Sequence, residues 1–329
     1  LLRVPAIDVL VDGTLTGDAR TGTLARNAML HDIAQRGNFF TTWLALTVLA
    51  LVLMLLMSGS LFYVYYWRPT YETWRRKTNP EFPKPQMVRR EVIQMLKGLA
   101  VATLCPAAAL HLVESGWSHA YAGLGEYGWG YLVFTFFVAW IGSDLYEWAY
   151  HRLGHTRMFW WKHHKAHHIF FNPSPFAVIA DEPVDQFLRS IPLLVIPMLM
   201  PINMDLLFFT YGAFFYGYGV YLHWGYELRW PDAHHPWINT SFQHYVHHAR
   251  STLRKPMHTG FFFKLWDQLA KSEYTAGPDT CLCARCCIER GERTPEAFER
   301  LEKPDYSPLL SLSFWLNGGK KQPAPSPAE

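Results

Sequence analysis

The chain has 329 residues, half of them hydrophobic and 16% aromatic, with only 17% charged, well below the roughly 25% of an ordinary soluble domain. A formal charge of +3 and the lack of a basic stripe with interleaved aromatics exclude a nucleic-acid binder. Five cysteines, four of them between Cys281 and Cys287, do not make a disulfide framework and point to a reducing compartment.

In chain order, residues 1–37 read as a polar N-terminal segment. There Asp8, Asp12 and Asp18 argue against an intact organellar transit peptide. "NFFTTWLALTVLALVLMLLMSGSLFYVYYW", Asn38 to Trp67, carries no charge and exceeds the roughly 20 residues that cross a bilayer core. Gly98 to Val113 reaches that length with the preceding "EVIQMLK", and Tyr127 to Ser143 nearly does so alone. "SIPLLVIPMLMPINM" and "LLFFTYGAFFYGYGVYL" flank Asp205; each would be about 24 Å long as a helix, so residues 190–222 read as a membrane hairpin of two short helices. The expected architecture is all-α: an integral membrane bundle of four to five embedded helices (38–143 and the hairpin) under a cytosol-facing cap, in one domain.

Loop charge sets the orientation. Arg68, Arg75, Arg76, Lys77, Lys84, Arg89 and Arg90 lie between the first two spans, whereas Glu114 to Gly130 has no lysine or arginine, which makes the first loop the cytoplasm-like side. Counting spans onward places 146–189 and everything after Leu222 on that face.

The histidines of that face fall into sets. "HRLGH" holds His151 and His155, "HKAHH" holds His164, His167 and His168, and "HYVHH" holds His244, His247 and His248. At spacings of three and four, each set points one way on a helix, and neutral imidazole is a strong ligand for iron or zinc. Adding His223 gives nine, too many for one ion and suited to two. Single pairs of this kind carry little weight; three grouped sets on one membrane face carry much more. His163, one residue from His164, points about 100° away and reads as a residue behind the ligands or in solvent. His31 and His119 lie outside the motif faces, and His234 and His235, in "WPDAHHPW", read as loop residues. Four nearby acids, Asp144, Glu147, Glu227 and Asp267, are candidates to accept the second ring N–H of a ligand and so orient it.

With these pieces assembled, the stretch from Asp144 to Leu269 resembles the membrane fatty acid hydroxylase and sterol desaturase superfamily, which includes sterol C4-methyl oxidases, sterol C5 desaturases and sphingolipid hydroxylases. The resemblance is carried by "DLYEWAYHRLGH", "HKAHH", "NPSPFA", "HWGYELRW", "NTSFQHYVHH" and "GFFFKLWDQL" in the family's order. It implies a non-heme di-iron centre near the cytosolic membrane surface, with zinc as a substitute. His151, His155, His164, His167, His168, His223, His244, His247 and His248 would be the ligands. It also implies O2 as oxidant, electrons from cytochrome b5 and its reductase, a sterol or fatty-acyl substrate, and residence in the endoplasmic reticulum, with mitochondrial or plastid membranes as alternatives. Two departures blur the subfamily. Glu182-Pro183 stands where several members have His-Pro, and "MHTG", Met257 to Gly260, where several have Asn-Tyr-Gly; His258 is thus open as extra ligand, pocket donor or surface residue.

Residues 144–275 therefore read as the catalytic region and 276–329 as a cysteine-containing extension ending in a disordered tail. "CLCARCC", with Cys281, Cys283, Cys286 and Cys287, offers four thiols that could hold zinc, but a typical structural zinc site uses two separated pairs, so reduced thiols are the default reading, with metal binding and S-acylation as alternatives. A structural or assembly subunit of a larger membrane complex is the competing function. A zinc hydrolase is disfavoured because no HExxH frame is present.

Overall fold

The computed structural model describes residues 37–317 apart from Pro278. The expectations for residues 1–36, His31 included, and for the tail lie outside the described residues. Helix α1, Phe39–Phe62, starts where the Asn38 side chain accepts the Thr41 N–H at 3.0 Å, and it runs on through a wider π turn, Tyr63–Trp67. It is apolar all round yet buries only a stripe, Thr42, Leu46, Met54, Ser58 and Phe62, leaving Phe40, Leu44, Val52 and Leu56 exposed. Exposed apolar surface on that scale needs lipid or a partner. Among the described residues, two helical stretches are long and apolar enough to cross a membrane: Phe39–Trp67, of 29 residues, and Pro85–His111, of 27. The second comprises α3, Pro85–Ala102, and α4, Leu104–His111, and follows the short α2, Tyr71–Trp74.

The third expected span is the first half of one continuous helix, α5, Trp129–Gly154. Its buried residues Ser143, Asp144, Glu147, His151 and Gly154 recur every three to four positions, so one stripe passes from the apolar half into the first histidine set. Then follow α6, Met158–His164, a 3₁₀ turn at Pro175–Ile179, α7, Pro183–Ser190, and α8, Pro192–Leu199. The hairpin reverses at Met200–Asn203, before Asp205, and returns as α9, Met204–Thr210, a π turn, Tyr211–Gly217, and α10, Tyr218–His223. The reversal contains a feature an all-α reading omits: Ile202–Asn203 pairs in parallel with Ala120–Tyr121 as a two-residue ladder. Pro201 cannot extend α8, and the ladder takes up the backbone groups that the break frees.

The chain continues through α11, Ser241–Arg250, α12, Leu265–Leu269, α13, Ala284–Glu289, α14, Pro295–Glu299, and α15, Leu312–Leu316. The carboxyl-terminal residues strap the first loop. Tyr71 donates to the Arg293 carbonyl at 2.9 Å, Tyr306 donates to that of Pro83 at 2.7 Å, and Arg89 donates to that of Trp315. The basic loop is accordingly only partly available. Lys77 is fully buried against Tyr66, Phe82 and Tyr226, donating to Asn172 at 3.2 Å, whereas Arg68, Lys84 and Arg90 stay exposed.

Candidate metal centre

All nine motif histidines converge. His151 sits in the last turn of α5 and His155 caps it; His164 ends α6, with His167 and His168 in the following turn. His223 ends α10, and α11 carries His244, His247 and His248. Eight are buried and His168 is half-buried. They divide into two groups of close-set donors: His151, His155, His164, His168 and His247 in one, His167, His223, His244 and His248 in the other. This refines the expectation that each triplet points one way. Residues i and i+4 differ by about 40° around a helix, while i+3 falls about 60° to the other side. His164 and His168 therefore share one group and His167 joins the other; likewise His244 and His248 part from His247.

The ring orientations favour a cation. Five Nδ1 atoms lie against hydrogen-bond acceptors: His151 on the Thr259 carbonyl at 3.0 Å, His155 on that of Thr252 at 3.3 Å, His223 on that of Gly219 at 2.7 Å, His247 on that of Met257 at 2.7 Å and His164 on Asp185 at 3.1 Å; His167 Nδ1 also lies 3.1 Å from Asp181, but not in hydrogen-bonding geometry. An Nδ1–H held this way leaves Nε2 as a bare lone pair. These Nε2 atoms converge with those of His168, His244 and His248: His164–His168 and His168–His247 at 3.1 Å, His167–His223 at 3.3 Å, His223–His244 at 2.8 Å, His244–His248 at 3.1 Å. Nitrogens about 2.0–2.1 Å from one ion lie about 3.0–3.4 Å apart. The spacing matches that of a shared ion, and the Nε2 atoms of His151 and His155 are buried without a protein partner. Burial, reinforced by the neighbouring imidazoles, pushes His151, His167, His168, His244, His247 and His248 well below the usual histidine range; burial carries His155 down to about 3 and His223 to about 4. These eight rings are thereby biased toward the neutral form that binds metal. The donor set thus fits two ions of the imidazole-binding type.

The acids behind the rings are not those expected. Asp185 holds His164, Asp181 lies beside His167, and Glu182 lies 3.1 Å from His163. Half-buried Arg189 lies 3.5 Å from Asp185, 4.0 Å from Asp181, and pairs with Glu147. Of the four acids proposed from sequence, none touches a grouped histidine. Asp144 accepts from the Phe262 N–H and the Trp266 indole, both at 2.7 Å, and so pins the loop before α12. Asp267 accepts from Thr259 and Gly260 N–H groups and acts on His151 only through the Thr259 carbonyl. Glu227 lies elsewhere, accepting the Ala284 N–H at 2.8 Å, because the chain turns at Gly225 (φ +81°) and carries it away from His223. The signal for the true pair was in "DEPVD": two carboxylates that straddle the start of a helix, Asp185 in its first turn and Asp181 just before its cap.

Gly154 is required by this packing, since a Cβ there would sit 3.0 Å from His164 Cγ. His258 stands outside both groups, its Nε2 accepting the Tyr274 N–H at 2.8 Å. His119 lies at the ladder, its N–H bonded to the Pro197 carbonyl. His234 is not a bare loop residue: its Nε2 faces Cys281, Cys283 and Cys286.

A cavity opens beside the histidines. It is lined by His151, His167, His223 and His244 and the polar Glu147, Asp181, Gln186 and Arg189, together with Val178, Ile179, Phe261 and, from the π turn of the hairpin, Tyr211, Phe215 and Tyr216. It joins imidazole donors to an apolar lining in one space.

The family pattern described as fatty acid hydroxylase matches residues 136–272, which hold every grouped histidine. The chain is 31% identical over 197 residues to the lathosterol oxidase of Rattus norvegicus and 32% over 200 residues to that of Homo sapiens, in each case across 59% of this chain and 63% of the relative. It is 30% identical over 224 residues to a Delta(7)-sterol 5(6)-desaturase of Aspergillus fumigatus, across 67% of this chain and 59% of the relative. The chain thus spans somewhat under two thirds of the length of these relatives. No solved structure matches. The histidine sets, their convergence and these likenesses agree in supporting the membrane fatty acid hydroxylase and sterol desaturase superfamily.

Proposed function

We propose that the chain is a membrane-bound di-iron oxidoreductase that desaturates, hydroxylates or oxidises a sterol or related lipid at an unactivated C–H, using O2 and external electrons. The observation that carries this reading is the juxtaposition of nine inward-facing imidazoles with an apolar cavity wall. The names of its sterol-acting relatives support the substrate class. Two irons held by His151, His155, His164, His168 and His247 and by His167, His223, His244 and His248 would supply dioxygen activation. The chain's own contribution is position and dryness. Asp185 holds the Nδ1 proton of His164 and fixes that ring, and Asp181 places a carboxylate 3.1 Å from His167 Nδ1. Tyr211, Phe215 and Phe261 receive the lipid and exclude water.

Electrons come from a separate carrier such as cytochrome b5, steered by the exposed Arg68, Lys84 and Arg90, on the cytosolic face of the endoplasmic reticulum. The test is reconstitution of iron-loaded protein with carrier, reductase and a panel of sterols and acyl lipids. O2- and carrier-dependent loss of substrate that weakens with salt is expected. Oxygen-independent turnover rejects the mechanism, and persistent inactivity with stable copurification in a larger complex favours a structural subunit.

A further inference from the structure

A second cluster lies away from the nine histidines. Cys281 and Cys283 flank Leu282 just before α13, Cys286 is in the first turn of that helix, and all three are buried. Into their midst comes His234, from the loop between α10 and α11, with Nε2 at 3.4 Å from Cys283 Sγ, 3.4 Å from Cys286 Sγ and 3.9 Å from Cys281 Sγ. All four donor atoms lie within 4.8 Å of one another. Around one tetrahedral zinc, with sulfur at about 2.3 Å and nitrogen at about 2.0–2.1 Å, sulfur and nitrogen would be about 3.6 Å apart and two sulfurs about 3.8 Å apart.

We propose that His234, Cys281, Cys283 and Cys286 form a structural zinc site of the three-cysteine, one-histidine type. Three thiolates and an imidazole are the soft donor set that selects zinc, and four protein ligands close the shell with no position left for catalysis. The three thiols give up their protons to solvent as the ion binds. The Cys286 N–H points at Cys283 Sγ at 3.4 Å, and Arg285, paired with Asp232 at 2.8 Å, ties the cysteine helix to the His234 loop from outside. Cys287 is excluded, its sulfur directed to the Leu282 carbonyl and Arg290. The three sulfurs pack with Phe242 and Val246, which sit on α11 beside the histidines, so the ion braces the helix that carries His244, His247 and His248.

This inference is independent of the proposed oxidase activity, and the probe separates the two. Cobalt(II) is added to the metal-stripped full-length chain in detergent: thiolate-ligated cobalt gives an intense near-ultraviolet charge-transfer band, and all-imidazole cobalt does not. The band is expected in the wild type, in Cys287→Ser and in His247→Ala, and it is lost or strongly reduced in Cys286→Ser. Zinc content of the unstripped wild-type chain, expected to include one ion resistant to mild chelation, gives a reading that needs no variant. A reduced wild-type chain that shows no band with cobalt overturns the proposal. So does a band that survives Cys286→Ser but vanishes in Cys287→Ser, or a disulfide among the three cysteines.

Discussion

Asp185→Asn probes how the centre is held. The carboxylate is 1% exposed; one oxygen lies 3.1 Å from His164 Nδ1 and the other accepts the Tyr150 hydroxyl at 2.6 Å. An amide keeps one acceptor oxygen for the imidazole and turns an NH2 donor toward the Tyr150 hydroxyl, so the negative charge that strengthened both bonds is gone. One charge-assisted bond in a buried site is lost, about 2 kcal/mol, or about 30-fold in metal affinity, within the range of about 10–100-fold typical of such partners. Arg189 keeps Glu147 and Asp181 as partners, so the fold is retained. Competition of the metal-loaded chain with a chelator measures this: release in two phases is expected, one phase moving in Asp185→Asn, the other in Asp181→Asn through His167, and both in the double variant. If Asp185→Asn leaves both phases within about twofold, or moves both equally, the assignment of one acid to each group is wrong.

Gly154→Ala places a methyl 3.0 Å from His164 Cγ; it should lower metal content of the five-histidine group by elemental analysis while leaving zinc at the cysteine site. His247→Ala should abolish activity and release metal, whereas His119→Ala and His258→Ala, outside both groups, should retain metal. In the stripped chain the buried imidazoles protonate only on unfolding, because their native pKa values lie below the unfolded value of about 6.5. Stability is then unaffected above that pH and falls below it, by about 1.4 kcal/mol per pH unit for each such ring. Thermal midpoints should drop between pH 7 and 5 in stripped protein and much less in metal-loaded protein; equal drops would contradict neutral burial.

The histidine sets were legible because their geometry is local: a helix turns by the same angle wherever it lies, so spacing reports direction. Their partners were not, because each comes from another element. Asp181 and Asp185 meet His167 and His164 only once α7 packs on α6, and Glu227 looked close to His223 in sequence while Gly225 turns it toward α13. The first apolar span was legible from charge alone, and the hairpin from its length. The point of reversal was misplaced at Asp205, since that residue begins α9 and Pro201 marks the break. His234 read as a loop residue because its cysteine neighbours lie 47 to 52 residues onward.

The strap across the first loop also sets an order of assembly. Tyr71 and Arg293 are 222 residues apart in the chain, Pro83 and Tyr306 223, Arg89 and Trp315 226. At a synthesis rate of about 5–20 residues per second, these pairs are born about 10–45 s apart. Throughout that interval the first helices have left the ribosome while the loop between them lacks its cover, with Trp74 deprived of the Phe298 ring that later lies 5.5 Å from it. Closing so long a loop comes late in folding, and the newborn chain passes through a stage at which its first loop is open to chaperones or to another chain's strap.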